Sequence, residues 1–194
     1  MRRKTFDALL TSAGLVLAIV LVVAGGLLLW AHNFVDSQVH SQLAAQQIFF
    51  PKAGTDSINE PAVKPYLSKY AGQQLVNGAQ AEAYANHFIA VHIQGIAGGK
   101  TYAQLSAASQ ANPTDTKLAG QVQTVFRGET LRGLLLNAYA FWKMGQIALV
   151  AAIAAFAAAG ILLIMSLLGY AHLRRVPVET EVMPKLTATV PRAA

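Results

Sequence analysis

Five histidines, a Glu-Arg pair and a few serines and glycines are the side chains and turns here whose types could do chemistry. Metal-binding histidines on a helix usually sit three or four residues apart, so that both rings project from one face. His87 and His92 are five apart, about 140° around a helix, and flank the Tyr84/Phe88/Val91 stripe from opposite sides. His32 and His40 have no carboxylate at ligand spacing, and His172 sits beside Arg174 and Arg175. No serine lies in a nucleophile elbow, and "GIAGGK" lacks the spacing of a phosphate-binding loop. The residues therefore give no catalytic set and no metal or cofactor site.

One stretch poses a sharper question. "VFRGETLRGLLLNAYAFWKMGQ" carries two Arg-Gly pairs, with Glu129 between them, directly before a long apolar run. On a helix, Leu118, Val122, Val125 and Phe126 share a stripe that continues through Glu129, Gly133, Leu136 and Ala140. Read this way, Glu129 is buried in an apolar face and takes Arg132, three residues on, as its partner. Gly133 then lets a neighbouring helix approach closely. The competing reading is a helix loosened at Gly128, with Glu129 in solvent.

The elements that must position these residues follow from composition. The chain has 194 residues, 54% of them hydrophobic and only 12% charged, against about 25% charged in soluble domains. Its mean hydropathy is +0.41. It contains no cysteine, which excludes disulfides, thiolate metal sites and a cysteine nucleophile. The formal charge of +6 is concentrated partly in Arg2, Arg3 and Lys4 and in Arg174 and Arg175. These clusters flank apolar runs and read as topology signals, not as a nucleic-acid surface.

Residues 9–30 and 147–170 are free of charge, and about 20 such residues cross a bilayer as a helix. The first run is longer than a signal-peptide core and lacks a convincing cleavage site, so it reads as an uncleaved anchor. Trp30, Trp142, Lys143, Tyr170, Arg174 and Arg175 lie where membrane interfaces favour aromatic and basic side chains. The basic start, followed by a stretch after Trp30 without Lys or Arg, places both termini in the cytoplasm. The expected class is thus an all-α membrane protein. Its parts are a cytoplasmic N-terminus (1–8), transmembrane helix 1 (9–30), an extracytoplasmic helical domain (31–146), transmembrane helix 2 (147–170) and a disordered cytoplasmic tail (171–194).

Within 31–146, "VDSQVHSQLAAQQ" continues the first helix and "FFPKAGTDSINEPAVKP" is a loop. "PYLSKYAGQQL" is a short helix, and "AQAEAYANHFIAVHIQ" is a longer one stopped by "GIAGG". Thr101 opens another helix, and Thr114 caps the last, with Asp115 in its first turn. Ala151, Ala155 and Ala159 recur every four residues in the second apolar run, and Gly14 and Ala18 share that spacing in the first. Small residues at this interval allow close helix contact in lipid. They suit packing of the two spans on each other, or association with a membrane-protein partner or a second copy.

"FRGETLRGLLLNAYAFWKMGQIAL", "YAGQQLVNGAQAEAYANHFIAVHI" and the opening "RRKTFDALLTSAGLVLAIVLVVAGGLLLW" together resemble a family of actinobacterial two-span membrane proteins, over Met1 to about Val176. Members often carry the label of aromatic ring-opening dioxygenase. Such an enzyme needs an iron site built from His and carboxylate ligands with open positions, and no such set can be read in this sequence. The expected function is non-enzymatic: an accessory or scaffold component of a membrane assembly. The alternative is an extracytoplasmic sensor or small-ligand-binding module acting through a partner.

Overall fold

A computed structural model describes residues 3–175 together with Pro177. Arg2 and most of the tail read as disordered lie outside the described residues. All regular elements among those described are helical. The long helices are α1 (Arg3–Ala45) and α7 (Thr116–Leu173). Between them come α2 (Asp56–Asn59), α3 (Lys64–Leu67) followed by a 3₁₀ turn (Ser68–Tyr70), α4 (Gly78–Tyr84), a π-helical turn (Ala85–Ile89), α5 (Ala90–Ala97) and α6 (Tyr102–Ala111). The chain divides into two compact units. One takes the residues up to Leu29 and from Leu149 onward; the other is Trp30–Ala148.

In the two-helix unit, one face of each helix is built from small residues. Thr11, Ala18 and Gly25 on α1, and Ala152, Ala159 and Ser166 on α7, are buried. These positions repeat every seven residues, the spacing that keeps a seam between two gently supercoiling helices. A Cβ on Gly25 would come within 2.9 Å of Phe156, one on Gly14 within 2.8 Å of Ser166 Oγ, and one on Gly169 within 2.5 Å of Thr11 Oγ1. Ser12 and Tyr170 share a hydrogen bond of 3.1 Å between their hydroxyls. Away from the seam the side chains are large, apolar and exposed: Val16, Ile19, Val20 and Val23 on α1, and Ile153, Ile161, Ile164 and Leu168 on α7.

The central unit has a continuous core. Val63, Leu67, Leu75 and Val125 have at most 1% of their surface exposed. After α1, Gln47 adopts φ 53° and turns the chain. Residues 48–50 then pair antiparallel with 73–75, through Phe50 N–H to Gln73 O at 2.9 Å and Leu75 N–H to Ile48 O at 2.8 Å. This isolated pairing is the β structure among the described residues. The loop expected before α3 contains the one-turn α2, which buries Ile58 against the core. The short helix expected over "PYLSKYAGQQL" stops at the 3₁₀ turn, because residues 73–75 join the antiparallel pair.

Local capping explains the remaining boundaries. Asn77 Oδ1 accepts from Gln80 N–H at 3.0 Å, and buried Gln80 returns its Oε1 to Val76 N–H at 2.8 Å. Gly98 closes α5 in the left-handed conformation, at φ 59°. Thr101 and Gln104 form a reciprocal capping box at the start of α6. The start of α7 differs from expectation. Asp115, not Thr114, is the cap, its Oδ1 accepting from Leu118 N–H at 2.9 Å. A carboxylate is the stronger acceptor at a helix N-terminus.

Candidate functional site

The expected polar pair forms, but in a different setting. Arg132 Nη1 donates to Glu129 Oε2 at 3.3 Å, with the side chains 33% and 45% exposed. Glu129 is therefore solvated, not buried at the centre of an apolar face. The face of α7 that meets the core runs through Val125, Gly128, Arg132 and Leu135. Of the stripe read from the sequence, Leu118, Val122, Val125 and Leu136 do pack on the core, whereas Phe126, Glu129 and Gly133 lie on its exposed edge. Phe126 is 48% exposed. Apolar residues stand on both edges of the stripe; what selects between them is the helix packed opposite.

That helix is the α4–π–α5 segment. Ala81, Ala85, Ile89, Ile93 and Ala97 are buried along it at steps of four. A pure α-helix would rotate such a line about 40° per step; the wider π turn over Ala85–Ile89 counters the drift. The Tyr84/Phe88/Val91 stripe read from the sequence lies beside this line, half-buried. Ile93 occupies the notch left by Gly128, where a Cβ would stand 2.6 Å from Ile93 Cδ1. Gly133 is exposed and would have no atom within 4 Å of a Cβ. The close-approach role expected of Gly133 thus belongs to Gly128.

Arg132 also reaches across to this segment. Its Nη2 donates to Asn86 Oδ1 at 3.3 Å, and Asn86 Nδ2 donates to Glu82 Oε1 at 3.0 Å. The Arg132 Nε is buried and makes no hydrogen bond. Glu82 on α4 and Asn86 in the π turn were not singled out from the sequence, because they lie far from Arg132 along the chain. Chemically the four groups form a clamp between one guanidinium and two carboxylates, bridged by an amide. It contains no nucleophile.

The histidines are engaged singly. His87 stacks flat on Tyr66, with ring centroids 3.5 Å apart and planes within 3°. His92 Nδ1 donates to Phe88 O at 2.8 Å and His32 Nδ1 to Gly145 O at 2.9 Å, since a carbonyl can only accept. Among the described residues no three His, Asp or Glu side chains gather as metal ligands would. Tyr84 lies between Phe50 (5.3 Å, edge-on) and Phe88 (4.8 Å), and burial raises the pKa of its hydroxyl above the usual phenol value.

Trp142, expected as an interface anchor, is half-buried, and its Cβ and Cγ lie directly over Gly78 at the start of α4. Trp30 (65% exposed) stacks on Phe34 at 5.7 Å, and Lys143, Arg174 and Arg175 are exposed. Tyr170, 38% exposed, is tied to Ser12. On the alanine face, Ala159 is buried but Ala151 and Ala155 are half-buried, and Ala152 is fully covered. The seam follows 152, 155, 159, 162 and 166 instead of strict four-residue steps, and α1 of the same chain fills it.

One concave surface stands out in the central unit, a groove of about 650 Å³ between α1 and α7. Its floor is Val35, Val39, Leu43, Leu135 and Ala138; one rim carries Phe34, Gln38, Gln42 and Gln46, the other Leu131, Leu134, Asn137 and Phe141. No charged side chain lines it.

No family model matches the chain, and no curated protein or solved structure is significantly similar to it.

Proposed function

We propose that the chain is a non-enzymatic integral membrane protein of the cytoplasmic membrane. In this reading it crosses the bilayer twice, keeps both termini in the cytoplasm and holds its central unit outside, as an accessory or scaffold component. This extends the sequence resemblance to actinobacterial two-span proteins. One observation carries it. In the most apolar eighteen-residue stretch of each long helix only 11% of the residues are buried, and large apolar side chains such as Val16, Ile19, Val20 and Val23 on α1 and Ile153, Ile161 and Ile164 on α7 are exposed. A core helix of a soluble protein would cover those side chains. Helices that cover only a small-residue seam suit a hydrocarbon solvent, where close backbone approach supplies the contact.

The remaining residues suit a structural role. The Glu82–Asn86–Arg132–Glu129 chain ties two helices together, and each engaged histidine is held by a ring or a carbonyl. The absence of native cysteine makes the topology directly testable. Single cysteines at Ser41, Ser106 and Thr187 are probed on intact cells with an impermeant maleimide. Labelling of Ser41→Cys and Ser106→Cys but not Thr187→Cys is expected, with the chain resisting alkaline extraction from membranes. Release by alkali, or labelling of Thr187→Cys in sealed cells, overturns the reading.

A further inference from the structure

In the two-helix unit, the end of the seam where α1 begins and α7 finishes holds a cavity of about 540 Å³. Its lining changes in polarity along the helix axes. Arg3, Asp7 and His172 stand at the terminal end, Thr11 and Ser166 further in, and Leu17 and Leu162 beyond them. Along α1 this is a rise of about 12 Å from Arg3 to Thr11 and about 9 Å more to Leu17. Thr11 is 9% and Ser166 3% exposed. Thr11 Oγ1 lies against Gly169 and Ser166 Oγ against Gly14, each on the opposite helix. Neither hydroxyl has a hydrogen-bond partner among the described residues. Buried hydroxyls are ordinarily paired, and an unpaired one costs free energy. The ions at the terminal end are also incompletely used. Arg3 Nε stands 3.8 Å from Asp7 Oδ2, with the side chains 52% and 26% exposed, so each retains capacity for a further partner.

We infer that this cavity binds one phospholipid whose headgroup carries both a phosphate and a primary ammonium, as in phosphatidylethanolamine. The lining runs from ions through hydroxyls to apolar side chains. A phospholipid presents its headgroup, ester carbonyls and acyl chains in that same order. Ester carbonyls accept hydrogen bonds and cannot donate them, so they complement two hydroxyls that have no acceptor in the protein. The charges select the headgroup. A purely basic pocket would suit an anionic lipid, but here the carboxylate of Asp7 stands beside Arg3. Arg3 pairs with the phosphate and Asp7 with the ammonium, which donates N–H groups that a choline lacks. A soluble phosphoethanolamine would meet the ions and leave the hydroxyls and the apolar end unmatched. The volume lies within the range of about 300–1,000 Å³ common to small-molecule sites.

The inference rests on the membrane reading, in which this end of the seam lies in the cytoplasmic leaflet. Membrane residence is tested separately by alkaline extraction, so a chain that resists alkali yet shows no lipid preference defeats this inference alone. The experiment uses the full chain in mild detergent, titrated with phosphatidylethanolamine, phosphatidylglycerol or phosphatidylcholine of identical acyl chains and followed by native mass spectrometry. One phosphatidylethanolamine per chain is expected, retained at least about tenfold better than either other lipid, the factor that one hydrogen bond to a charged group supplies. Asp7→Asn should abolish the preference, while Asp36→Asn, at an exposed position of α1 in the central unit, should leave it unchanged. Thr11→Val combined with Ser166→Ala removes both hydroxyls with little change in volume and should weaken phosphatidylethanolamine binding by about tenfold. Helical circular dichroism checks that each variant folds, and the comparison of lipids on the unaltered chain stands without them. Equal retention of the three lipids, a preference for phosphatidylglycerol, or no retained lipid overturns the proposal. So does an Asp7→Asn chain as selective as the unaltered one, undiminished binding by the folded double variant, or displacement of the lipid by soluble phosphoethanolamine at equal concentration.

Discussion

Gly128 and Gly133 are five residues apart on one helix, and the structure assigns them opposite responses to the same substitution. Alanine in place of glycine favours a helix interior by about 1 kcal/mol. At Gly133 nothing lies within 4 Å of the new methyl group, so Gly133→Ala should realise most of that gain. At Gly128 the methyl would stand 2.6 Å from Ile93 Cδ1 and 2.7 Å from Cγ1. Ile93 is only 7% exposed, so it has little room to withdraw, and overpacking of this kind costs about 1–3 kcal/mol. The net effect of Gly128→Ala is then a loss of about 0–2 kcal/mol, and the two variants should differ by about 1–3 kcal/mol. For a unit of this size each kcal/mol moves the melting temperature by roughly 3–6 °C. Thermal unfolding followed by far-ultraviolet circular dichroism in detergent measures the gap. Ile93→Ala removes both offending atoms; alone it should cost about 2–5 kcal/mol, and in the Gly128→Ala background less, because the new methyl occupies part of the vacated space. Equal stabilisation by both alanines, or strict additivity of Gly128→Ala with Ile93→Ala, would refute the packing geometry.

Glu129→Gln should change stability by no more than about 1 kcal/mol, because the ion pair with Arg132 is solvent-exposed; a larger loss in the same melting assay would mean the carboxylate is buried. In the two-helix unit, Gly25→Ala should reduce thermal stability in detergent while Gly26→Ala does not, since only Gly25 faces Phe156; matched effects would place the seam elsewhere. Tyr84 has its folded pKa raised by desolvation, so its contribution is fully present below the unfolded value of about 10 and declines as pH rises through the folded pKa. Tyr84→Phe should therefore flatten the alkaline limb of a stability-against-pH curve and leave neutral stability nearly unchanged; an unaltered alkaline limb would count against burial of that hydroxyl.

Much of the fold was legible because it depends on local signals. Uncharged apolar runs, Gly98 with its left-handed φ and the Thr101/Gln104 box act within a few residues of where they are read. The site was legible in part. The stripe read from the sequence holds Val125 and Phe126 together, but Val125 is buried and Phe126 is 48% exposed; the two are equivalent by hydrophobicity, so periodicity alone could not say which edge of the stripe faces the core. The choice is made by Ile93, which fills the space at Gly128. Partners distant in sequence were invisible for the same reason. Asn86 and Arg132 are 46 residues apart, and nothing in either local stretch points to the other. The four-residue alanine spacing was similarly close. It identified the right side of the helix, but the contact repeats every seven residues and centres on Ala152 and Ala159.

That repeat constrains how the chain can change length. Along α7 the covered positions Ala152, Ala159, Ser166 and Leu173 recur at one interval, matched by Thr11, Ala18 and Gly25 on α1. Loss or gain of one codon within either run would rotate everything beyond it by about 100°, presenting Ile or Leu where the opposite helix needs glycine or serine. Removal of seven codons would shorten the helix by about 10 Å and turn it by only about 20°. Insertions and deletions here are therefore tolerated in whole heptads. Two runs that must stay in register can lengthen or shorten only together, which couples the lengths of the two helices.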